Sequence, residues 1–137
     1  MMNDAELLIG DVARGAGVSA DTIRHYERKG LLTGIRRDGS GYRRYTAEAI
    51  ERVRVVRRAL GIGFTLDELA KIFRQRAAGQ APCRQVHELA TRKAAELDER
   101  IAELTALRAA LAETLASWEQ RLQSTSPGGF ARLLEEL

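Results

Sequence analysis

Cysteine, proline and aromatic residues are scarce in this sequence of 137 residues. It contains one cysteine, two prolines and 5% aromatic residues. A single cysteine excludes an intrachain disulfide framework and a zinc site built from several cysteines of one chain. No apolar run approaches the ~18 residues that span a bilayer, and the first eight residues lack the basic and then apolar pattern of a secretory signal. We therefore expect a cytoplasmic protein with no membrane partner.

Residues that carry out catalysis are also few. The chain has two histidines and one cysteine, and no glycine-rich phosphate loop follows a predicted strand. Most enzymes need a nucleophile with a base, or paired carboxylates in a cleft. The chain is also too short for a barrel enzyme of ~250 residues. We expect neither enzymatic activity nor a cofactor.

Positive charge is concentrated in the first half. Residues 1–80 carry 15 Lys and Arg against 10 Asp and Glu, a net charge of +5, whereas residues 81–137 carry 7 against 9, a net charge of −2. Eleven of the basic residues before position 60 are arginines. Guanidinium groups suit the recognition of phosphates and base edges. The first half is therefore expected to bind a polyanion, and the second half to have another role.

Two short amphipathic segments open the chain. Ile9 to Ala16 has apolar residues at helical spacing, and Gly17 ends it. Ser19 is a typical N-cap for a second helix, Ala20 to Lys29, which Gly30 terminates. Two short helices joined by a tight turn predict a helix-turn-helix.

The next segment, residues 33–45, predicts a small wing. The pair Asp38-Gly39 lies between two short runs, Ile35 to Arg37 and Tyr42 to Tyr45, and Asp-Gly is a hairpin signal. Two further helices follow, Ala47 to Leu60 behind Thr46 and Leu66 to Ala78 behind the capping box of Thr65 and Glu68.

A long uninterrupted helix is predicted from Pro82 to about Gln123, with Pro82 in its first position. Apolar residues recur along it in alternating steps of four and three, which is typical of a coiled-coil seam. A helix of this length spans roughly 60 Å, so the head cannot cover it; it pairs with a second copy or folds back. The seam begins at Cys83, His87, Ala90 and Ala94, and the predicted dimerisation residues are Leu97, Ile101, Leu104, Arg108, Leu111, Leu115, Trp118 and Leu122. Arg108 is expected to fix the register by pairing with a carboxylate of the partner.

The predicted fold is therefore mainly α: a winged helix-turn-helix head followed by a long antiparallel coiled-coil dimerisation helix. We assign residues 1–80 to the DNA-binding head with its linker helices and residues 81–123 to the dimerisation helix. Residues 124–137 form a loop and a short amphipathic helix, expected to pack on the seam and to contribute to an effector region.

Ordered blocks of residues place the chain near a known family. They are Ile9 to Ala13, Gly17 to Ser19, Thr22 to Leu32, Gly41 to Tyr45 and Gly63 to Leu69. In this order they resemble the MerR family of transcription regulators over nearly the whole chain. The resemblance implies a homodimer that binds double-stranded promoter DNA, bends and untwists an overlong spacer in response to an effector, and so acts on RNA polymerase indirectly.

The predicted DNA contacts come from three segments. In a helix-turn-helix the N-terminal part of the second helix faces base edges, and arginines interleaved with tyrosines suit phosphates and the adjoining minor groove. The alternatives are core packing for Tyr26, a solvated turn for the wing, and a surface charge for Arg14. The predicted DNA-binding residues are Arg14, Thr22, Arg24, His25, Tyr26, Arg36, Arg37, Tyr42, Arg43, Arg44 and Tyr45.

The effector is less well defined by the sequence. Cys83 lies where metal-sensing members of the family place one ligand, but the further cysteines that those members carry after the long helix are absent. Cys83 and His87 share a helix face and are the possible effector-sensing residues. Three roles remain open for Cys83: a buried seam residue, a redox or electrophile sensor near the helix N-terminus and Arg84, or a metal ligand. We expect no metal, and a small-molecule or thiol-reactive effector that the sequence does not identify.

Two other functions compete with a regulator. A structural coiled-coil adaptor explains the long helix but not the arginine-rich head. A non-specific, architectural DNA-binding protein explains both, and a binding-site selection experiment separates it from a sequence-specific regulator.

Overall fold

The computed structural model describes residues 6–32, 36, 37 and 39–137, and for Arg36 the backbone only. The chain divides into two compact units, Met1–Ala90 and Thr91–Leu137. The predicted class, mainly helical with a winged helix-turn-helix head and a long C-terminal helix, is confirmed. The elements are α1 (Ile9–Ala16), α2 (Ala20–Arg28), β1 (Arg36–Arg37), β2 (Arg43–Arg44), α3 (Ala47–Gly61), α4 (Leu66–Ala77), α5 (Cys83–Gln123) and a 3₁₀ turn (Leu134–Glu136).

Local signals set the ends of the first two helices. Gly17 has a φ of 71° and terminates α1, while the Ser19 side chain accepts a hydrogen bond from the Thr22 amide as the N-cap of α2. Gly30, with a φ of 78°, follows α2. A left-handed φ is costly for residues with a Cβ, so glycine at these positions permits the sharp turns. The result is the predicted helix-turn-helix.

The wing is a two-stranded antiparallel ribbon. Arg36 pairs with Arg44 and Arg37 with Arg43. This register leaves residues 38–42 as the connection, which is longer than a two-residue hairpin turn; Asp38 of the predicted Asp-Gly turn lies outside the described residues. At the base of the wing, the backbone amides of Leu7 and Tyr45 donate to each other's carbonyls at 2.8 Å.

The helices after the wing follow the sequence closely. Thr65 accepts from the Glu68 amide at 3.2 Å and Glu68 accepts from the Thr65 amide at 2.8 Å, so the predicted capping box opens α4. Thr46 occupies the N-cap of α3 without a side-chain hydrogen bond. Pro82 precedes α5 rather than starting it, and its carbonyl accepts from the Val86 amide at 2.9 Å.

The head has one apolar core. Its fully buried side chains come from α1, α2, the base of the wing and α3, and α4 adds Leu69, Ile72 and Phe73. Val86, Leu89 and Ala90 of α5 pack against it half-buried. Burying such side chains stabilises the fold by roughly 1.5–3 kcal/mol each. The largest fully buried residues are Tyr45, Ile23, Leu31, Val12, Val53 and Val56.

The C-terminal tail departs from the prediction. Only Leu134–Glu136 form a helical turn, and Phe130, Leu134 and Leu137 are exposed rather than packed on the seam. In a segment this short, the few helical hydrogen bonds do not offset the unfavourable free energy of helix nucleation unless tertiary contacts add to them. An ion pair of 2.8 Å between Arg121 and Glu136 connects the tail to α5.

Candidate nucleic-acid interface

The N-terminal part of α2 follows the turn of the helix-turn-helix and presents polar side chains. Arg24 is half exposed, and its guanidinium lies 2.7 Å from the Asp21 carboxylate one turn earlier. Thr22 and His25 are half-buried beside it. The Thr22 hydroxyl lies 3.0 Å from the Ser19 hydroxyl. The half-exposed guanidinium of Arg24 is accessible from solvent, as contact with a base edge requires.

The two predicted tyrosine contacts on α2 and at the end of β2 are corrected by the structure. Tyr26 is 5% exposed and Tyr45 is 1% exposed. Burial raises the pKa of the Tyr26 hydroxyl, although the charge of Arg57 opposes the rise. The Tyr45 hydroxyl donates to the Glu27 carboxylate. Both rings lie in the apolar core of the head, Tyr26 on the buried face of α2 and Tyr45 at the base of the wing, so neither is available to DNA.

The wing and α1 supply the other basic groups. Arg43 forms an ion pair with Glu27 and remains partly exposed. Arg37 and Tyr42 are exposed and Arg44 is half-buried; the side chain of Arg36 lies outside the described residues. On α1, Arg14 pairs with Asp11 at 2.6 Å and is mostly exposed.

A cleft brings these segments together. It has a volume of about 640 Å³ and lies between the start of α1, α2 and β2. Leu8, Ile9 and Tyr45 form apolar parts of its wall. Four arginines line it against two carboxylates, Asp11 and Glu27, which leaves an excess of two positive charges. The lining arginines are Arg14, Arg24, Arg28 and Arg43.

Other arginines of the basic half have structural roles that the sequence analysis missed. Arg54 donates to the Gly15 carbonyl at 2.8 Å, and Arg57 donates to the carbonyls of Ala16 and Gly17 at 3.4 and 3.3 Å. These groups satisfy the C-terminal carbonyls of α1. The spacing of Arg54 and Arg57 places both on one face of α3, but it does not indicate which carbonyls that face contacts.

Arg52 is a further structural arginine and lies against α4. The Arg52 guanidinium is 4.0 Å from the centre of the Phe73 ring, and that of Arg76 is 5.5 Å from it. Burial and then the charge of Arg76 lower the pKa of Arg52. Part of the arginine excess therefore stabilises the head.

Within the C-terminal unit, the predicted dimerisation residues form an uncovered stripe. The structure describes every residue of α5, and none is buried. Arg108 is exposed within the stripe and Trp118 is half-buried. Leu107, 63% exposed beside Arg108, was missing from the predicted set. The large apolar members of the stripe are Leu97, Ile101, Leu104, Leu111, Leu115 and Leu122, each between 53% and 63% exposed.

The possible effector residues lie at the start of α5. Cys83 is a free, exposed thiol. It shares a shallow pocket of about 360 Å³ with Arg84, His87 and Glu88. Among the described residues, no three His, Cys, Asp or Glu side chains are grouped so that they could hold a metal ion. In the described part of the chain, no helix combines the length and the apolar character needed to cross a membrane.

Two protein-family models match the chain. The one described as MerR HTH family regulatory protein matches residues 7–76, and the one described as MerR, DNA binding matches residues 50–114. Similar proteins include the mercuric resistance operon regulatory protein of Pseudomonas fluorescens, 36% identical over 127 residues, which are 92% of this chain and 87% of the relative. The regulator CueR of Yersinia pestis is 39% identical over 103 residues, 73% of this chain and 72% of the relative.

Solved structures show the same architecture. The regulator PbrR691 from Ralstonia metallidurans, in complex with lead(II), aligns with a TM-score of 0.71 and 28% identity, covering 85% of this chain and 88% of that one. HiNmlR, a MerR family regulator bound to promoter DNA, aligns with a TM-score of 0.55 and 23% identity, covering 87% and 94% of the two chains. The second likeness concerns the fold alone.

Proposed function

Since the chain belongs to the MerR family of DNA-binding transcriptional regulators, which are not enzymes, we propose that it acts as a homodimer that bends and untwists promoter DNA. The observation that supports this most is the uncovered stripe on α5, where six large aliphatic side chains remain more than half exposed. An apolar surface of this length on a single chain is typical of an interface. A second copy of α5, antiparallel to the first, covers it.

The contacts with DNA are assigned to the cleft and its rim. Thr22, Arg24 and His25 at the start of α2 face base edges, as the second helix of a helix-turn-helix does. The surrounding cationic and tyrosine side chains hold phosphates and fix the register of the head on the duplex. This second group comprises Arg14, Arg36, Arg37, Tyr42, Arg43 and Arg44, with Arg28 added because it lines the same cleft.

Remodelling follows from two heads attached to one coiled coil. The dimer fixes the distance and angle between two half-sites, so the DNA between them must bend or untwist when both heads bind. A change of that geometry realigns the two promoter elements that RNA polymerase contacts. The protein thus acts on the polymerase through the shape of the DNA, and the effector shifts the balance between two arrangements of the dimer.

Binding-site selection from random duplexes, followed by end-to-end fluorescence transfer on the selected site, tests this function. The expected result is an inverted repeat with two half-sites and a shorter end-to-end distance when the protein is bound. A shuffled sequence of equal composition is the control. Enrichment of no sequence would instead support the architectural alternative, and enrichment without a change in end-to-end distance would contradict remodelling.

We assign effector sensing to the region of Cys83. The second candidate function is therefore a regulator that responds to reaction of this thiol. Cys83 is exposed in the single chain, which favours a reactive thiol over a seam residue packed within its own chain. Relatives include a mercuric resistance regulator and a lead(II) complex, but one cysteine per chain gives each protomer a single thiolate. Soft metals are held by several thiolates or imidazoles, so we propose an oxidant or electrophile rather than a metal.

Alkylation of Cys83 in the purified dimer separates the three roles. A sensor thiol is expected to react fast and with a pH-dependent rate, in both the folded and the unfolded protein. A thiol buried in the dimer seam reacts only on unfolding. Near-stoichiometric protection by zinc, copper or mercury, weakened by His87→Ala, would refute the assignment and favour metal sensing. Cys83→Ser should abolish induction under the sensor assignment and leave DNA binding intact.

A further inference from the structure

Glu27 is a buried carboxylate in the middle of the candidate interface. Its side chain is 4% exposed, although the residue belongs to α2 and lines the cleft. One oxygen, Oε1, accepts a hydrogen bond from the Tyr45 hydroxyl. The other, Oε2, has no hydrogen-bond partner among the described residues, so the ion pair with Nη1 of Arg43 is what compensates its charge. A carboxylate is costly to bury unless both oxygens are compensated. Here both partners come from the end of the wing.

The Glu27 contacts differ from those of the other acidic residues near the cleft. Asp11 pairs with Arg14 and Asp21 with Arg24 within one helical turn, at exposed positions. Such pairs contribute little and only order a neighbour on the same helix. Glu27 connects two elements that are separated in the sequence, and its own side chain is buried while that of Arg43 remains 43% exposed at the cleft.

We propose that Glu27 is a positioning residue that fixes the wing to the recognition helix and holds the Arg43 guanidinium at the rim of the cleft. This inference rests on the proposed use of the cleft to bind DNA. Holding a flexible side chain in one geometry before binding removes the entropy cost of ordering it on the DNA. The wing and α2 then bind the duplex as one rigid unit. The distance between the Arg43 guanidinium and the base-contacting side chains of α2 is fixed before binding.

The base of the wing has a second anchor, so the head does not depend on Glu27 alone. The Tyr45 ring is buried in the core, and its backbone pairs with Leu7 through two hydrogen bonds of 2.8 Å. Replacing the carboxylate by an amide keeps the shape of Glu27 and an acceptor for the Tyr45 hydroxyl. It removes the charge that holds Arg43.

Glu27 could affect DNA binding through its charge alone or by positioning Arg43, and the two roles predict opposite changes in operator affinity for Glu27→Gln. If Glu27 were only a negative charge near the DNA, its removal would tighten binding and steepen the dependence on salt, because repulsion of the phosphates is lost. If Glu27 positions Arg43, its removal weakens operator binding and lowers the salt slope towards that of Arg43→Ala. A purely structural role would lower the melting temperature without coupling to Arg43.

The experiment is a double-mutant cycle of Glu27→Gln and Arg43→Ala in the full chain, measured as operator affinity over a range of salt concentrations. Arg43→Ala in the native background is expected to lower the salt slope by about one unit. In the Glu27→Gln background the same change should have little further effect. Asp67→Asn is the matched control, since Asp67 is exposed and pairs with Lys29 at 3.0 Å, away from the cleft; it removes one charge and should leave the slope unchanged.

The outcomes separate this inference from the proposed function. If Arg43→Ala has no effect in the native background, the assignment of the cleft to DNA is wrong. If Arg43→Ala changes the salt slope equally in the native and Glu27→Gln backgrounds, or if Glu27→Gln binds the operator more tightly than the native chain, the positioning role is wrong. Should Glu27→Gln fail to fold, Tyr45→Phe removes one of the two contacts and keeps the ring. Tyr45→Phe is then expected to lower the salt slope in part and to speed hydrogen exchange at the Leu7 amide, which donates to the carbonyl of residue 45 at the base of the wing. No change in either would overturn the proposal.

Discussion

Replacing both Leu104 and Leu111 by aspartate is expected to convert the proposed dimer into monomers that no longer bind the operator. The two leucines are 63% and 53% exposed in the single chain and lie seven residues apart on the stripe of α5. The proposed dimer would bury four such side chains, and because only half to two thirds of each is exposed beforehand, each would contribute roughly 1–2 kcal/mol to association. The substitution removes this contribution and places four carboxylates in an apolar seam, where unpaired charge is strongly unfavourable. One head alone then contacts half a site.

Sedimentation at micromolar concentration measures the first effect, and operator binding measures the second. The native chain should sediment as a dimer and the variant at the monomer mass of 15.2 kDa. Ala106→Asp with Ala109→Asp is a matched control, because both positions lie off the seam of the same helix. A native protein that sediments as a monomer would contradict the dimer, and a monomeric variant with unchanged operator affinity would contradict the need for two heads.

The helical framework follows from the sequence because its signals are local. Gly17, Ser19 and the capping box of Thr65 and Glu68 each act within one turn, and the structure places the ends of α1, α2 and α4 within one residue of the predicted positions. Such signals require no knowledge of tertiary contacts. Pro82 precedes α5 rather than starting it, and of the run Tyr42 to Tyr45 only Arg43 and Arg44 form β2, because these limits depend on strand pairing and on the packing of neighbouring elements.

The site was harder to predict because the same residue types serve two purposes. Tyr26 and Tyr45 lie within two residues of arginines in the sequence, yet both rings are buried in the core. Arg54 and Arg57 belong to the same basic half but cap α1. Glu27 gave no signal at all, because its two partners become neighbours only in three dimensions. Burial and long-range pairing decide these roles, and neither can be read from spacing along the chain.

Arg24→Ala and Arg44→Ala are expected to weaken DNA binding in two different ways. Arg24 projects from the start of α2 and is held by Asp21, so its loss should relax the preference at particular base pairs, by about 1 to 3 kcal/mol. Arg44 lies on β2 of the wing and is assigned to phosphate. Its loss should weaken binding to all sequences and lower the salt slope by about one unit.

Affinity for the selected operator, for single-base variants of it and for an unrelated duplex, each over a series of salt concentrations, distinguishes the two effects. Arg92→Ala in α5 removes the same charge at an exposed position outside the cleft and should change neither base preference nor slope. If Arg24→Ala lowered all affinities equally, Arg24 would be a phosphate contact and the bases would be read by Thr22 and His25. If Arg44→Ala left the affinity for the unrelated duplex and the salt slope unchanged, the assignment of Arg44 to a phosphate would be wrong, and the wing would contact phosphates through its other cationic side chains.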